Sequence, residues 1–352
     1  LKAVLDPIVV PLERAGLELD EFLCLLFPER SKGFLREEVR AGRVRVDGEG
    51  ANPSDRLRAG QVLLFERDFD ADEDVPAPLV VPELPPLRVL YEDEDLLAVD
   101  KPAGLAAEPE RWAREHGSLS GALLALARAR QRPGPQGERA PLDFRPRAVH
   151  RLDKDTTGVT LVAKQLESER RLRDAFEHGA VRKTYLALVE GELDLVDGAE
   201  RLIDLPIAPD ARRSGRMRVG GEGEKPASTR VAVEQRFRGY TLVRCHPLTG
   251  RTHQIRVHLA EIGFPLAVDP LYGRRKELGL SELKTRYKHK PGQTERPLIA
   301  RHSLHAFAVE FEHRGAALRI EAPLPDDFAR VLKQLHKHRP PRAASHAPER
   351  DA

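Results

Sequence analysis

The sequence predicts an α+β protein: a mixed, largely antiparallel central sheet with flanking helices, preceded by a small α/β unit. Two observations carry this. Candidate strands and helices do not alternate in the regular way a doubly wound fold requires. An acidic stretch, Asp70-Ala71-Asp72-Glu73-Asp74, runs into spaced prolines that end at Pro85-Pro86, and such a stretch stays extended rather than packing. It divides a short N-terminal portion from a long C-terminal one. The expected organisation is a small unit over 15–68, a linker over 69–86, a large unit over 87–336 and a disordered tail over 337–352. A chain of 352 residues suits two domains of unequal size.

In the small unit, Leu19, Phe22, Leu23 and Leu26 recur at helical spacing. Ser31 is placed to cap a second helix that runs to about Ala41, and Gly42 ends it. Val44 and Val46 alternate with Arg43 and Arg45, as in a strand with one buried face. Asp47-Gly48 is then a hairpin turn signal. In the large unit the strand candidates are 87–91, 96–99, 159–162, 184–189, 229–235, 241–246, 306–311 and 318–321. Helix candidates are 119–129, 165–177, 252–262 and 326–336. Two Gly- and Arg-rich breaks, 131–141 and 209–228, read as surface loops.

Composition narrows the function classes. No apolar run approaches the ~20 residues that cross a bilayer. No basic-then-apolar leader opens the sequence, so neither membrane attachment nor export is expected. Cys24 and Cys245 form no CxxC pair, so a disulfide framework or zinc knuckle is not expected, and the cytoplasm is the default compartment. With 58 basic and 56 acidic residues the net charge is only +2, so any nucleic-acid partner must be read from where the charges sit.

Lys32, Arg36 and Arg40 fall at i, i+4 and i+8, on one helix face. Arg43 and Arg45 share one face of the next strand. Such clusters suit a phosphate backbone, whose neutralisation releases counterions; a solvated surface partly offset by Glu37 and Glu38 is the plainer alternative. The sharpest motif is His150-Arg151-Leu152-Asp153-Lys154-Asp155-Thr156-Thr157-Gly158, a polar loop before the apolar run Val159–Val162. A carboxylate in a strand-flanking loop serves as nucleophile, general base or metal ligand, or closes an Asx-turn. Arg151 and Lys154 beside Asp153 favour its ionised form. Arg256 on a helix and Tyr185 in a strand are, from the residues alone, a surface arginine and a core aromatic as readily as functional groups.

Two resemblances sharpen these readings. Leu19-Asp20-Glu21-Phe22-Leu23, the helix from Ser31, Ala41 through Gly48 and Leu57-Arg58-Ala59-Gly60 resemble the S4 RNA-binding domain. Glu18 stands where that family usually has Arg. The segment around Asp153 resembles the signature of the RluA-type pseudouridine synthases, with Thr157 where Ser is usual. Further blocks agree in order: Leu90–Leu105, Arg182–Gly191, Gly250–Leu259, and Gly263-Phe264-Pro265 with Asp269-Pro270-Leu271-Tyr272-Gly273. Asp100 replaces the usual Asn, Glu108 a common His and Val268 the usual Gly. A basic insertion runs from Arg274 to Pro297.

The resemblance implies the pseudouridine synthase fold and isomerisation of uridine in structured RNA, with large-subunit (23S) rRNA favoured and tRNA the other candidate. Asp153 would attack, the C1′–N1 bond would break, and C5 would rejoin C1′. Arg256 would pair with Asp153, Tyr185 would stack on the base, and Arg151 would fill the gap left by the flipped uridine. Lys32, Arg36, Arg40, Arg43 and Arg45 would grip RNA. No cofactor and no metal are needed, and a monomer is expected. Two other classes remain on the table. A metal hydrolase would use His150, His253, His258, His302 and His305, although 253 and 258 are at i, i+5 rather than i, i+4. A non-catalytic RNA-binding or ribosome-assembly factor would keep the fold and use only the small unit.

Overall fold

The computed structural model describes residues 5–28, 30–69, 86–107, 118–130, 142–288, 292 and 294–341. The linker expected over 69–86 and the loop over 131–141 therefore lie almost wholly outside the described residues. The first elements are β1 (Ile8–Val9), α1 (Leu19–Leu26), α2 (Lys32–Arg40), β2 (Val44–Val46), β3 (Glu49–Gly50) and β4 (Val62–Phe65). Then come β5 (Arg88–Glu92), β6 (Leu96–Lys101), α3 (Leu119–Ala129), β7 (Arg147–Ala148), β8 (Thr157–Ala163) and α4 (Leu166–Glu177). They are followed by β9 (Arg182–Glu190), β10 (Glu200–Asp204), β11 (Ile207–Pro209), β12 (Met217–Val219), β13 (Ser228–Phe237) and β14 (Tyr240–Pro247). Last are α5 (Gln254–Glu261), α6 (Leu280–Leu283), β15 (Leu304–His313), β16 (Ala316–Glu321) and α7 (Asp326–His338).

The chain divides into two compact units. The first comprises Leu1–Leu87, Glu108–Ala148 and Ala163–Glu169; the second comprises Arg88–Ala107, Val149–Val162 and Arg170–Ala352. The first unit is thus built from three stretches of sequence, not from the N-terminal portion alone.

In the first unit, β1-β4-β2-β3 form an antiparallel sheet. The pairing of β1 with β4 carries the sheet upstream of the expected boundary at residue 15. Leu19, Phe22, Leu23 and Leu26 are buried, as the helical spacing requires, and Leu35 and Val39 of α2 join them in the unit's core. Ser31 Oγ accepts from the Phe34 amide at 3.1 Å, the expected N-cap. Asp47 and Gly48 have φ of 54° and 84°. Two positive φ values in a two-residue loop are what a type I′ hairpin needs, and they explain the Asp-Gly pair. Farther along the chain, the Leu142 amide donates to the Leu25 carbonyl, and Arg147 pairs with both Glu21 and Glu169.

The second unit is organised on one mixed sheet whose strands follow the order β10-β13-β14-β9-β15-β8-β6-β5, with β16 also paired to β15. β8 and β15 run parallel; β13 with β14, β14 with β9, and β15 with both β9 and β16 run antiparallel. Strand alternation sends successive side chains to opposite faces. Leu186, Leu188, Phe237, Tyr240 and Leu242 pack with Phe328, Val331 and Leu335 of α7. Ala187, Val189, Val231, Val243 and Cys245 pack with Ile255 and Leu259 of α5.

Four stretches differ from the sequence reading. The expected loop over 209–228 contains β12, which pairs with β11 in a hairpin; Met217, Val219 and Tyr272 pack against Val257 of α5. These strands are too short to show periodicity. The segment from Arg274, read as a basic insertion, is anchored by Leu278 and Leu283, both fully buried in the α7 core cluster. The helix expected over 252–262 begins at Gln254, because His253 is left-handed with φ 56°. The tail expected from 337 overlaps α7, which extends to His338, and residues 342–352 lie outside the described residues.

Candidate active site

Asp153 sits in the loop that leads into β8, and several buried contacts fix that loop. Leu152 is buried beside it, and the Thr156 amide donates to the Asp153 carbonyl at 3.0 Å, closing a tight turn. Thr156 Oγ1 meets His302 Nε2 at 2.7 Å, and Thr157 Oγ1 meets His305 Nδ1 at 2.9 Å. Gly158 follows with φ 116°, and a β-carbon there would lie 2.1 Å from the Ala306 carbonyl oxygen. Only glycine lets β8 pair with β15 so closely. The Thr-Thr-Gly run is therefore two hydroxyl tethers and one obligatory close approach. Thr157 keeps the hydroxyl that the usual serine would supply.

Lys101 locks the loop from the other side. Its buried ammonium donates to the carbonyls of Pro102, Leu105 and Lys154 at 3.0, 2.8 and 2.8 Å, using all three hydrogens. Burial lowers its pKa to about 8, with the charges of Asp155 and Asp153 opposing.

Arg256 projects from α5 and joins two carboxylates. Its Nη1 donates to Asp153 Oδ2 at 2.9 Å. Nε and Nη2 donate to Asp269 Oδ2 and Oδ1 at 2.7 and 2.9 Å, a two-pronged pair. Burial disfavours the charge on Arg256, but the bonds and charge of Asp269, then those of Asp153, outweigh it and push its pKa up. Burial likewise opposes the charge on Asp269, and Arg256 together with the Leu271 and Tyr272 amides overcomes it, so its pKa is lowered. Asp269 has no side-chain exposure, whereas Asp153 keeps 19%. The guanidinium is thus anchored on the buried acid and offers its remaining nitrogen to the accessible one.

Both groups face a cleft of about 590 Å³, which Tyr185, Arg151, His253 and Lys183 also line. Burial, then the negative charge of Asp153, raises the pKa of Tyr185, which stays a phenol. Arg151 is exposed at this cleft. The three residues expected to do chemistry, Asp153, Arg256 and Tyr185, therefore border one cavity in the second unit. The five cations expected to grip RNA belong to the first unit. Lys32 pairs with Asp20 and Glu21, Arg36 with Asp20, Arg40 with Glu37, Arg43 with Glu38, and Arg45 with Glu66. Their charge is more fully offset within the unit than the spacing alone suggests, because acids on α1 and α2, and Glu66 just after β4, pair with them.

Sequence reasoning did not single out Asp269, Tyr272 or Lys101 as site residues, and it named His253 only as a ligand of a metal hydrolase. Asp269 and Tyr272 stood in a recognised block, but nothing in their spacing to Arg256 marks a buried partner. The other histidines named for a metal hydrolase are engaged by hydroxyls and backbone. His258 bonds Thr229 Oγ1 and the Leu205 carbonyl, and His150 Nε2 accepts from the Leu161 amide. Among the described residues no group of three or more His, Cys, Asp or Glu side chains is arranged to hold a metal ion. No helix among them is long and apolar enough to cross a membrane.

Comparison with known proteins supplies the family. Residues 95–261 match the family model described as RNA pseudouridylate synthase, and residues 19–63 match the S4 domain. Ribosomal large subunit pseudouridine synthase D of Xanthomonas campestris pv. campestris is 37% identical over 96% of this chain and 94% of its own. The chain belongs to the RNA pseudouridylate synthase family. The protein of the same name from Pseudomonas aeruginosa is 36% identical over 94% of this chain and 95% of its own. A solved structure of human RNA pseudouridylate synthase domain containing 1 covers 73% of this chain and 97% of its own, with TM-score 0.50 and 24% identity, a likeness of fold. As a pseudouridine synthase with an S4 domain, the protein is an enzyme that acts on RNA. Two family departures have visible settings. Val268 is buried in the α7 core cluster. Burial raises the pKa of Asp100, against the charge of Arg88.

Proposed function

We propose that this synthase isomerises specific uridines in large-subunit (23S) rRNA, with Asp153 as the attacking carboxylate. The ion pair between Asp153 and Arg256 in an open cleft is the observation that supports this most. In that reaction Asp153 adds to the nucleoside, the C1′–N1 bond breaks, and the uracil turns. C5 then bonds to C1′, the C5 hydrogen leaves as a proton, N1 takes one up, and Asp153 is released. Substrate and product are isomers, so no oxidant, hydrolytic water or cofactor enters the balance. Arg256 orients Asp153 and supplies the charge that accompanies it. Tyr185, a neutral phenol at the cleft, stacks on the everted base, worth roughly 1–3 kcal/mol. Arg151 occupies the gap that eversion leaves in the RNA. The names of the two bacterial relatives favour large-subunit rRNA over tRNA, and this choice places the enzyme in the cytoplasm with the ribosome. The S4 unit, through Lys32, Arg36, Arg40, Arg43 and Arg45, holds the RNA beyond the cleft, and the enzyme works as a monomer.

Asp153→Asn tests the reading. The variant should bind large-subunit rRNA transcript as the wild type does and release no tritium from [5-³H]uridine in it. Full release by the variant would remove Asp153 from the mechanism. Mapping pseudouridine across total RNA of a deletion strain would name the position.

A further inference from the structure

Among the titratable side chains of the cleft that this reaction scheme leaves unused, His253 stands closest to the carboxylate, 3.9 Å from Asp153 Oδ2. His253 holds a left-handed backbone at φ 56° immediately before α5. Among the described residues the other non-glycine positions with positive φ are Asp47 and Arg314, both in hairpin turns. At His253 no hairpin requires this conformation. Its cost, of order 1–3 kcal/mol, is offset by what the ring contacts.

Those contacts favour one ring tautomer. Tyr272 Oη accepts from the Met217 amide at 2.8 Å and lies 2.8 Å from His253 Nδ1. The Met217 amide already donates to Oη, which leaves the hydroxyl placed to donate its own hydrogen to Nδ1. Two guanidiniums hold the Tyr272 ring in place, with Arg216 Cζ at 5.4 Å and Arg256 Cζ at 5.1 Å from its centroid. Burial raises the pKa of Tyr272, which keeps its hydroxyl hydrogen. Burial also lowers the pKa of His253, ahead of the opposing pull of Asp153, which keeps the ring neutral. A neutral imidazole that accepts at Nδ1 carries its hydrogen on Nε2. That nitrogen lies 3.9 Å from Asp153 Oδ2, with 15% of the histidine side chain exposed. The distance is too long for a hydrogen bond to the carboxylate. It leaves the N–H available to a third group placed next to Asp153.

We propose that His253 is a further catalytic residue of this synthase: locked by Tyr272 as the Nε2–H tautomer, it donates a hydrogen bond to a uracil carbonyl oxygen lying beside Asp153. The proposal rests on the Asp153 reading above. When C1′–N1 breaks, the electron pair of that bond stays on the uracil and spreads onto its carbonyl oxygens. A fixed donor at one of them stabilises the charge as it develops. No proton is transferred to or from the imidazole, and the ring returns unchanged. A neutral donor also leaves the carboxylate to Arg256, where an imidazolium would compete for it.

The test uses full-length enzyme and a large-subunit rRNA transcript carrying [5-³H]uridine. His253→Phe should lower kcat by about 10²–10³-fold, as loss of one such donor does elsewhere, with RNA affinity within about twofold. His253→Gln, whose amide can return an N–H near the Nε2 position, should recover at least about tenfold of that loss. Nitrogen-15 NMR of the wild type at pH 7 should show an Nε2–H ring at His253, and Tyr272→Phe should turn it into a mixture of tautomers. An unchanged kcat in His253→Phe would overturn the proposal. So would an Nδ1–H or doubly protonated ring in the wild type. If His253→Phe does not fold, the NMR result and the kcat of Tyr272→Phe decide. Asp153→Asn separates the two ideas. Undiminished tritium release in that variant would sink the carboxylate mechanism, whereas the tautomer at His253 is read without any turnover.

Discussion

Asp269 is the residue on which the position of Arg256 depends. It has no exposed side-chain surface, and both of its oxygens are bonded to the guanidinium. Replacing it by Asn keeps the size and removes the charge, so Arg256 remains buried with Asp153 as its one charged partner. Breaking a buried pair in this way costs about 3–5 kcal/mol, because the surviving charge stays desolvated. Asp269→Asn should therefore lower the denaturation midpoint and, by loosening Arg256, lower kcat while RNA affinity changes little. Calorimetry and single-turnover assays together check this. An Asn variant with unaltered melting and kcat would show that Arg256 does not need its buried anchor. At this scale the family resemblance implied the pair but not its support. Asp153 and Arg256 each sit in a dense motif, whereas Asp269 meets Arg256 across a turn and a loop, where no periodicity reports contact.

Among the elements, β8 carries the tightest constraint. Its parallel register with β15 pairs Thr157 with His305 and Gly158 with Ala306. Gly158→Ala would place a β-carbon 2.1 Å from a backbone oxygen, at a φ that L side chains rarely adopt. Backbone cannot yield as a side-chain tip can, so the strand pair must part. The expected cost exceeds about 3 kcal/mol, at the severe end for a single substitution. Activity should fall with it, since the tethers Thr156–His302 and Thr157–His305 share that register. Denaturant titration of the variant measures the effect, and a change under about 1 kcal/mol would mean that the parallel pairing is not as close as described. Strands of this kind are legible in the sequence. Val159–Val162, 184–189 and 241–246 show apolar runs or alternation long enough to read. β10, β11 and β12 are not, because three to five residues with mixed exposure carry no period. The start of α5 was misjudged for a different reason. The left-handed turn at His253 is imposed by a tertiary bond to Tyr272, and local propensity does not encode it.

At the scale of the whole molecule, burial of histidines sets how the protein responds to acid. His302 and His305 are enclosed in the second unit, and His150 is stacked on Phe176 with ring centroids 4.6 Å apart. Burial lowers their pKa values to about 3, about 4 and about 3 respectively. In the unfolded chain each should titrate near ~6.5. All three shifts are downward, so their contribution to stability is fully present above that value. As pH falls below it, the unfolded state takes up three protons that the folded state refuses, and stability drops. The loss continues until the folded values near 3–4 are reached, at up to about 4 kcal/mol per pH unit for three protons. Paired carboxylates such as Asp93, whose pKa is lowered by His313 and the Leu96 and Asp95 amides against burial, add to the loss only below the ordinary carboxylate range. The histidines therefore predict an acid-induced decline that begins between pH 6 and 6.5 and is well advanced before carboxylates protonate. Urea midpoints measured from pH 7.5 down to 4.5 should follow that curve. His302→Gln, which removes one titrating ring and leaves an amide to meet Thr156, should make it measurably shallower. Midpoints level down to pH 4.5 would show that these rings accept protons inside the fold, and that their enclosure in the core is looser than the packing described here.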